Sequence, residues 1–299
     1  MTRRVLVTGG NGFLGAWIAR RLAPQGWRLR VFDLREDRSL IAAIAGESVA
    51  AAMEWRTGDI GSGTDVAAAA EGCDAVIHLA GVLTPACRAD PVLGAKVNLI
   101  GTLNAFEAAR QHGIRRIVYT SSAGVYGPED GSVPRPTTHY GAFKLACEGS
   151  ARAYLDDHGI ASVGFRPYVV YGPGRTTGLT AGPTLACRAA ARGEPYAIPY
   201  RGSAGLVFVG DVAAAYELAL AREPDGAHVF NLGGTTASSE EVAAEIAALV
   251  PGSRITVDGP PLPFTPTIAE DGLRLALPGM PETSLRAGLA QTISFYAGN

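Results

Sequence analysis

The chain of 299 residues is 47% hydrophobic and 18% charged, which excludes a disordered polymer and leaves enough apolar material for one large or two modest cores. A formal charge of −2 provides no global positive field, so neither nucleic acid nor an anionic membrane is an expected partner. The 38 glycines and 19 prolines cluster between apolar segments and predict many tight connections.

Cys73, Cys87, Cys147 and Cys187 stand far apart without paired spacing. No metal site or disulfide framework is legible from them, and buried thiols in a reducing compartment are expected. Residues 1–8 carry two arginines and few apolar residues, too little for a secretory signal, and no uncharged apolar run reaches membrane-spanning length. The expectation is a soluble, cytoplasmic protein.

In chain order, short β-branched segments at Arg4–Thr8, Arg28–Asp33, 75–80, 117–121 and 162–166 read as buried parallel strands. Between them, 14–23, 64–71, 93–112 and 140–158 repeat apolar residues at helical spacing. This alternation predicts an α/β fold, a doubly wound parallel sheet built from right-handed crossovers. Residues 167–183 read as a loop, followed by a helix over 184–192. The chain is then expected to return to the sheet at 206–209 and 229–232, before helices at 239–249 and 284–297. The division predicted is a cofactor-binding domain over 1–168 and 206–233, with a smaller, discontinuous C-terminal substrate-binding domain over 169–205 and 234–299.

The sharpest local feature is Thr8-Gly9-Gly10-Asn11-Gly12-Phe13-Leu14-Gly15, between the first strand and the first helix. Gly9 suits the tight turn, Gly12 lets a pyrophosphate approach the backbone, and Gly15 lets the helix pack close to the strand, in a Rossmann-like dinucleotide site. Asp33 ends the next strand 18 residues past Gly15, where an acid accepts hydrogen bonds from the adenine ribose. A carboxylate there repels a 2′-phosphate, favouring NAD over NADP, although Arg35 and Arg38 lie nearby in sequence. Asp59, followed by Ile60, is either a receiver for the adenine amino group or a turn-forming residue.

Tyr140 and Lys144 are four apart at the start of a predicted helix and share one face. Ser122, in Ser121-Ser122-Ala123-Gly124-Val125-Tyr126-Gly127, lies at the carboxyl end of the preceding strand, where open α/β sheets bind ligands. Oxidising a secondary alcohol needs a base for the hydroxyl proton while hydride leaves. A free tyrosine, with pKa about 10, is a poor base at neutral pH. Lowering that value by about three units takes roughly 4 kcal/mol, comparable with one positive charge ~4 Å away at an effective dielectric of ~20. Lys144 can supply such a charge, and Ser122 can hold the substrate oxygen.

On these motifs, with Gly58-Asp59, His78-Leu79-Ala80-Gly81, Asn98, Gly101-Thr102, Arg166-Pro167 and Val170-Tyr171-Gly172-Pro173-Gly174, the chain resembles an extended short-chain dehydrogenase/reductase of the NAD-dependent epimerase/dehydratase family. The likeness runs from Arg4 to about Asn231 and is fainter beyond. It implies NAD as cofactor, Tyr140 as general acid/base, Lys144 on the nicotinamide ribose, and Ser122 completing the triad. Gly9, Gly12, Phe13, Leu14, Gly15, Asp33, Asp59 and Ile60 would hold the dinucleotide. Leu79, Ala80 and Gly81 would line it beside the ribose, Asn98 would steady the central helix and strand ends, and Pro167 and Val169 would sit near the carboxamide. His78 is expected to be a satisfied strand-end residue. In similar enzymes the helices at 93–112 and 140–158 form a homodimer face.

Family membership leaves several reactions open. Sugar 4,6-dehydratases carry an acidic pair where this chain has Ala123 and Gly124, and decarboxylases usually carry Glu at the latter, so both are disfavoured. Nucleotide-sugar enzymes usually have Asn where Val169 stands and Arg where Ala204 stands, a partial exclusion because Arg175, Arg188 and Arg201 could substitute for them. The expected function is therefore hydride transfer at a secondary hydroxyl or ketone of a compact sugar, sugar acid or lactone, with Ser122, Ala123, Tyr140 and Arg175 on the substrate side. The alternative is a nucleotide-sugar 4-epimerase. A third possibility is a protein that senses NAD(P) and catalyses nothing, against which the presence of both Tyr140 and Lys144 argues.

Overall fold

The computed structural model describes residues 3–129, 131–223, 225–262, 264–269 and 271–298. The proline-rich stretch 260–281, which the sequence leaves between a pocket wall and a linker, includes positions 263 and 270 outside that set.

Seven parallel strands form the main sheet: β1 (Arg4–Thr8), β2 (Arg28–Asp33), β3 (Glu54–Thr57), β4 (Ala75–His78), β5 (Arg116–Thr120), β6 (Ala161–Pro167) and, later in the chain, the strand Ala227–Leu232. Successive residues of β1 serve opposite faces. Val5 and Val7 join Trp17, Ile18, Val31 and Ile77 in one core, whereas Leu6 joins Phe32, Val76, Phe106 and Tyr119 in the other. Strand order reverses between β1 and β4, which pair through Thr8 and His78. The carboxyl ends of β1, β4, β5 and β6 therefore open on one crevice at the topological switch point.

Three expectations are corrected. The predicted helix over 93–112 is three pieces, Pro91–Ala95, a π-helical turn Lys96–Ile100, and Gly101–Gln111. The amide of Asn98 donates to the Gly94 carbonyl at 3.1 Å, so a side chain takes an acceptor of the helical ladder and the turn widens. The loop over 167–183 contains β7 (Val169–Tyr171). Residues 206–209 do not return to the main sheet, because β9 (Ser203–Phe208), which follows β8 (Tyr196–Ile198), pairs parallel with β7. Only Ala227–Leu232, here β10, returns, against β6. A helix over Val209–Ala221, buried along much of its length and so without a clear amphipathic period, joins β9 to β10.

The smaller unit consists of β7 and β9 with β11 (Thr235–Ser238), which runs antiparallel to β9, and of β12 (Ile255–Val257) paired with β8. Helices Gly182–Ala191 and Leu285–Ala297 pack together against these strands. The open edge of β10 is covered rather than exposed: the Asn231 amide donates to the Asp271 carboxylate, and the Asn231 side chain donates to Ala269 O at 2.8 Å. No helix among the described residues is long and apolar enough to cross a membrane.

Candidate active site and its relatives

The glycine loop is built by close approach. Gly9 adopts φ +70°, and a β-carbon there would fall 2.7 Å from the backbone of Ala80. A β-carbon on Gly15 would strike the backbone of Gly10. Gly12 is different: it is exposed, caps the helix Phe13–Leu22 without a side chain, and faces only the Gly9 carbonyl at 3.2 Å. No acidic residue lies in the first turn of that helix and no side chain caps it, so its first N–H groups are left to a ligand.

Asp33 anchors the far end of the loop, accepting from Asn11 N at 3.1 Å and Leu34 N at 2.9 Å. Asp59 is held by Lys96 at 2.8 Å and by the Gly61 amide at 2.8 Å. The Lys96 hydrogen bond, with that amide, keeps its carboxyl below the usual range. Ile60 is buried against Gly101. Leu79 continues β4 by bonding Thr8 O at 3.0 Å. His78 is buried between two hydroxyls, Thr8 Oγ1 at 2.7 Å and Thr102 Oγ1 at 3.0 Å. Burial, aided by the Lys144 charge, pushes it down to about 3, so it is a neutral strut, as its position at a strand end predicted.

Tyr140, Lys144 and Ser122 converge. Thr138 caps the helix His139–His158 by accepting from Gly141 N at 3.1 Å. Gly141 lets the helix start lie against the Gly124 carbonyl. Lys144 is buried, its ammonium 5.8 Å from the Tyr140 ring centroid and donating to Thr120 O at 2.8 Å. A β-carbon on Gly124 would lie 3.3 Å from Ser122 Oγ and 3.6 Å from the Tyr140 ring, so the two side chains flank one small residue. One on Gly81 would lie 2.7 Å from Asn98 Oδ1 and 3.6 Å from Lys144 Nζ. Asn98 spends its amide hydrogens on Val82 O and Gly94 O, both at 3.1 Å, while its buried Oδ1 has no partner among the described residues. Ala123 is buried beside Ser122, and Pro167 ends β6 in the interior.

Sequence reasoning missed the scaffold behind this cluster. Ser121 Oγ donates to Glu148 Oε1 at 2.5 Å, and Glu148 receives Arg166 through two bonds at 2.8 and 2.6 Å. Arg166 also reaches Tyr126 OH at 2.6 Å, which donates to Asn231 Oδ1 at 2.9 Å. The available signal was spacing, since Glu148 is one further helical step from Tyr140 and Lys144.

On the substrate side, Val169 and Ala204 are 2% and 3% exposed and belong to the core. Arg175 is partly exposed, bonded to the Val170 carbonyl and to Thr180 Oγ1, the latter at 2.8 Å. Among the described residues no group of His, Cys, Asp and Glu has the geometry of a metal site.

The family model of the NAD-dependent epimerase/dehydratase family matches residues 5–233. The chain belongs to that family. It is 34% identical over 245 residues to mouse 3 beta-hydroxysteroid dehydrogenase type 7, covering 73% of this chain and 63% of that one. It is 35% identical over 170 residues to the uronate dehydrogenase of Pseudomonas putida, covering 54% and 59%. The chain thus spans less than two thirds of the length of either relative. The crystal structure of the Thermus thermophilus UDP-glucose 4-epimerase in complex with NAD superposes with a TM-score of 0.84 at 28% identity, covering 99% of both chains.

The family's cofactor fits the residues present. The exposed Gly12 turn leaves the helix N-terminus accessible to a pyrophosphate, Asp33 ends β2 beside the loop, where an acid suits a ribose, and Gly81 opens the approach to Lys144 and Asn98. A side chain at Gly12 or Gly81 would fill that path.

Proposed function

We propose that the chain is an NAD-dependent dehydrogenase of a compact sugar-like substrate, a sugar, sugar acid or lactone, acting at a secondary hydroxyl. The observation that carries this reading is the burial of Val169 and Ala204 in the core. Nucleotide-sugar members usually carry Asn and Arg at those positions, and a diphosphate without such partners is costly to hold in a dry cleft.

In this reading Gly9, Gly12, Phe13, Leu14 and Gly15 hold the pyrophosphate, Asp33 the adenine ribose, and Asp59 and Ile60 border the adenine. Leu79 to Gly81, Asn98, Pro167 and Val169 border the nicotinamide half, with Lys144 on its ribose. NAD, when bound, supplies the hydride acceptor. Ser122 donates a hydrogen bond to the substrate oxygen, Tyr140 takes the hydroxyl proton, and Lys144 gives the resulting phenolate a positive neighbour. In reduction the same groups run in reverse. The cofactor-binding unit spans 1–168 and 209–233 and the substrate-binding unit 169–208 and 234–299; the return of β10 to the main sheet supports the split, and the pairing of β9 with β7 moves the expected boundary at 206 to the end of β9.

A second reading, a UDP-hexose 4-epimerase, is favoured by the 0.84 TM-score of the Thermus enzyme over nearly all of both chains. Absorbance of the reduced nicotinamide separates the two when sugars, sugar acids and UDP-hexoses are supplied in turn. A dehydrogenase accumulates NADH in proportion to product, and turnover without net reduction overturns that assignment in favour of the epimerase.

We also infer a cytoplasmic homodimer. Exposed Val92, Leu93 and Ile100 cluster just before the helix Gly101–Gln111, near the face implied by the family resemblance, and the four cysteines are buried thiols without disulfides. Light scattering after gel filtration tests the mass, with a monomer at micromolar concentration counting against it.

A further inference from the structure

Arg175 carries a charge that the fold does not neutralise. It follows Gly174 in the loop after β7, and its contacts are a backbone carbonyl (Val170), the Thr180 hydroxyl and, at 3.5 Å, Thr177 O. All are uncharged, and among the described residues no carboxylate pairs with it. Arg30 and Arg166, also drawn into the protein, are by contrast paired with carboxylates, Glu54 and Glu148. Of five N–H groups, Arg175 leaves one on each terminal nitrogen unspent, the fork that grips a carboxylate end-on.

In the proposed reading this fork lies on the substrate side. A β-carbon on Gly178 would lie 3.3 Å from Arg175 Nη2 and 3.4 Å from Leu83 Cδ1, so Arg175 faces the loop that continues from Gly81. The phenols of Tyr200 and Tyr140 are its electrostatic neighbours, and burial holds it down to about 10. Among the described residues no second cation pairs with the same groups, and a diphosphate would require one. A single carboxylate matches a single guanidinium.

We propose that Arg175 is the anchor for a carboxylate on the substrate, making a sugar acid the preferred class over the corresponding neutral sugar. This deepens the dehydrogenase reading and rests on it for the reaction, though not for binding.

The test compares wild type, Arg175→Gln and Arg175→Lys with saturating NAD, using a hexuronate, its matching hexose and the UDP-hexose. Wild type is expected to favour the hexuronate in kcat/KM by roughly a hundredfold, the scale of a hydrogen-bonded charge. In Arg175→Gln that ratio falls towards one, chiefly through KM. Arg175→Lys is intermediate because an ammonium keeps the charge and loses the fork. A glutamine variant that retains the acid preference, or a wild type that prefers the hexose or UDP-hexose, overturns the anchor. Calorimetry on the NAD complex of Tyr140→Phe provides a readout without turnover. There, hexuronate binding that is unchanged by adding Arg175→Gln also overturns the anchor, whereas binding lost on that addition upholds it even if wild type forms no NADH, an outcome that sinks the dehydrogenase reading alone. NAD affinity of each variant confirms that the comparison is made on folded protein.

Discussion

The Lys144 ammonium donates to the backbone carbonyl of Thr120 at 2.8 Å, tying the helix that bears Tyr140 to the end of β5 from which Ser122 projects. The charge of Lys144 is thereby fixed beside the Tyr140 ring instead of swinging into solvent. Tyr140→Phe is expected to lower kcat by roughly 10²–10⁴-fold, the usual share of a positioned acid/base group, with little change in melting temperature. Lys144→Met should lower kcat comparably and also raise KM for NAD. Steady-state kinetics with both substrates varied check this, and a Tyr140→Phe enzyme within threefold of wild type would remove the tyrosine from the mechanism.

Glu148 and Arg166 form a buried pair behind the Ser122 turn, joined by two short hydrogen bonds. Glu148→Leu leaves the guanidinium uncompensated and should cost about 3–5 kcal/mol in urea unfolding. Glu148→Leu combined with Arg166→Met should cost distinctly less, because the stranded charge goes with its partner. Equal destabilisation of single and double variants would show that packing, not charge, sets the cost.

In the proposed reading Asp33 selects between the two dinucleotides. Its oxygens are held by the Asn11 and Leu34 amides, and Asp33→Asn retains one acceptor while removing the negative charge that faces a 2′-phosphate. The NADP-to-NAD ratio of kcat/KM is expected to rise by at least about tenfold, near one pKa unit's worth of energy. An unchanged ratio would mean that Arg35 or Arg38 governs the choice.

His78 makes the fold acid-sensitive. It is buried neutral, with its value lowered from 6.5 to about 3, so between those values the unfolded chain binds the proton and the folded chain does not. Its contribution is present above the unfolded value and is lost as pH falls from near 6.5 towards 3. Urea midpoints measured from pH 7 to 4 should fall more steeply for wild type than for His78→Gln. Parallel slopes would assign the acid limb to other groups.

The glycine loop separates folding from binding. A side chain at Gly15 collides with the Gly10 backbone, whereas a β-carbon at Gly12 meets only the Gly9 carbonyl, at 3.2 Å. Gly15→Ala should therefore lower the melting temperature, and Gly12→Val should leave it near wild type while weakening NAD binding. Calorimetry and thermal unfolding read the two separately, and a cofactor affinity indifferent to Gly12→Val would place the pyrophosphate elsewhere.

The sequence alone determined the strand-helix alternation up to β6, the glycine turn and the Ser122, Tyr140 and Lys144 set. Each is written in local spacing: period two for strands, 3.6 for helices, and fixed glycine offsets. It did not determine that β9 leaves the main sheet for β7 and β11, because an apolar strand does not encode its neighbour and long-range pairing does. It was silent also on the widened turn at Asn98, where one amide takes a carbonyl from the ladder, and on the Ser121–Glu148–Arg166 support, whose members lie up to 45 residues apart. The uncompensated charge of Arg175 emerged only in three dimensions, since whether an arginine has an acid beside it depends on folding distance and not on position along the chain.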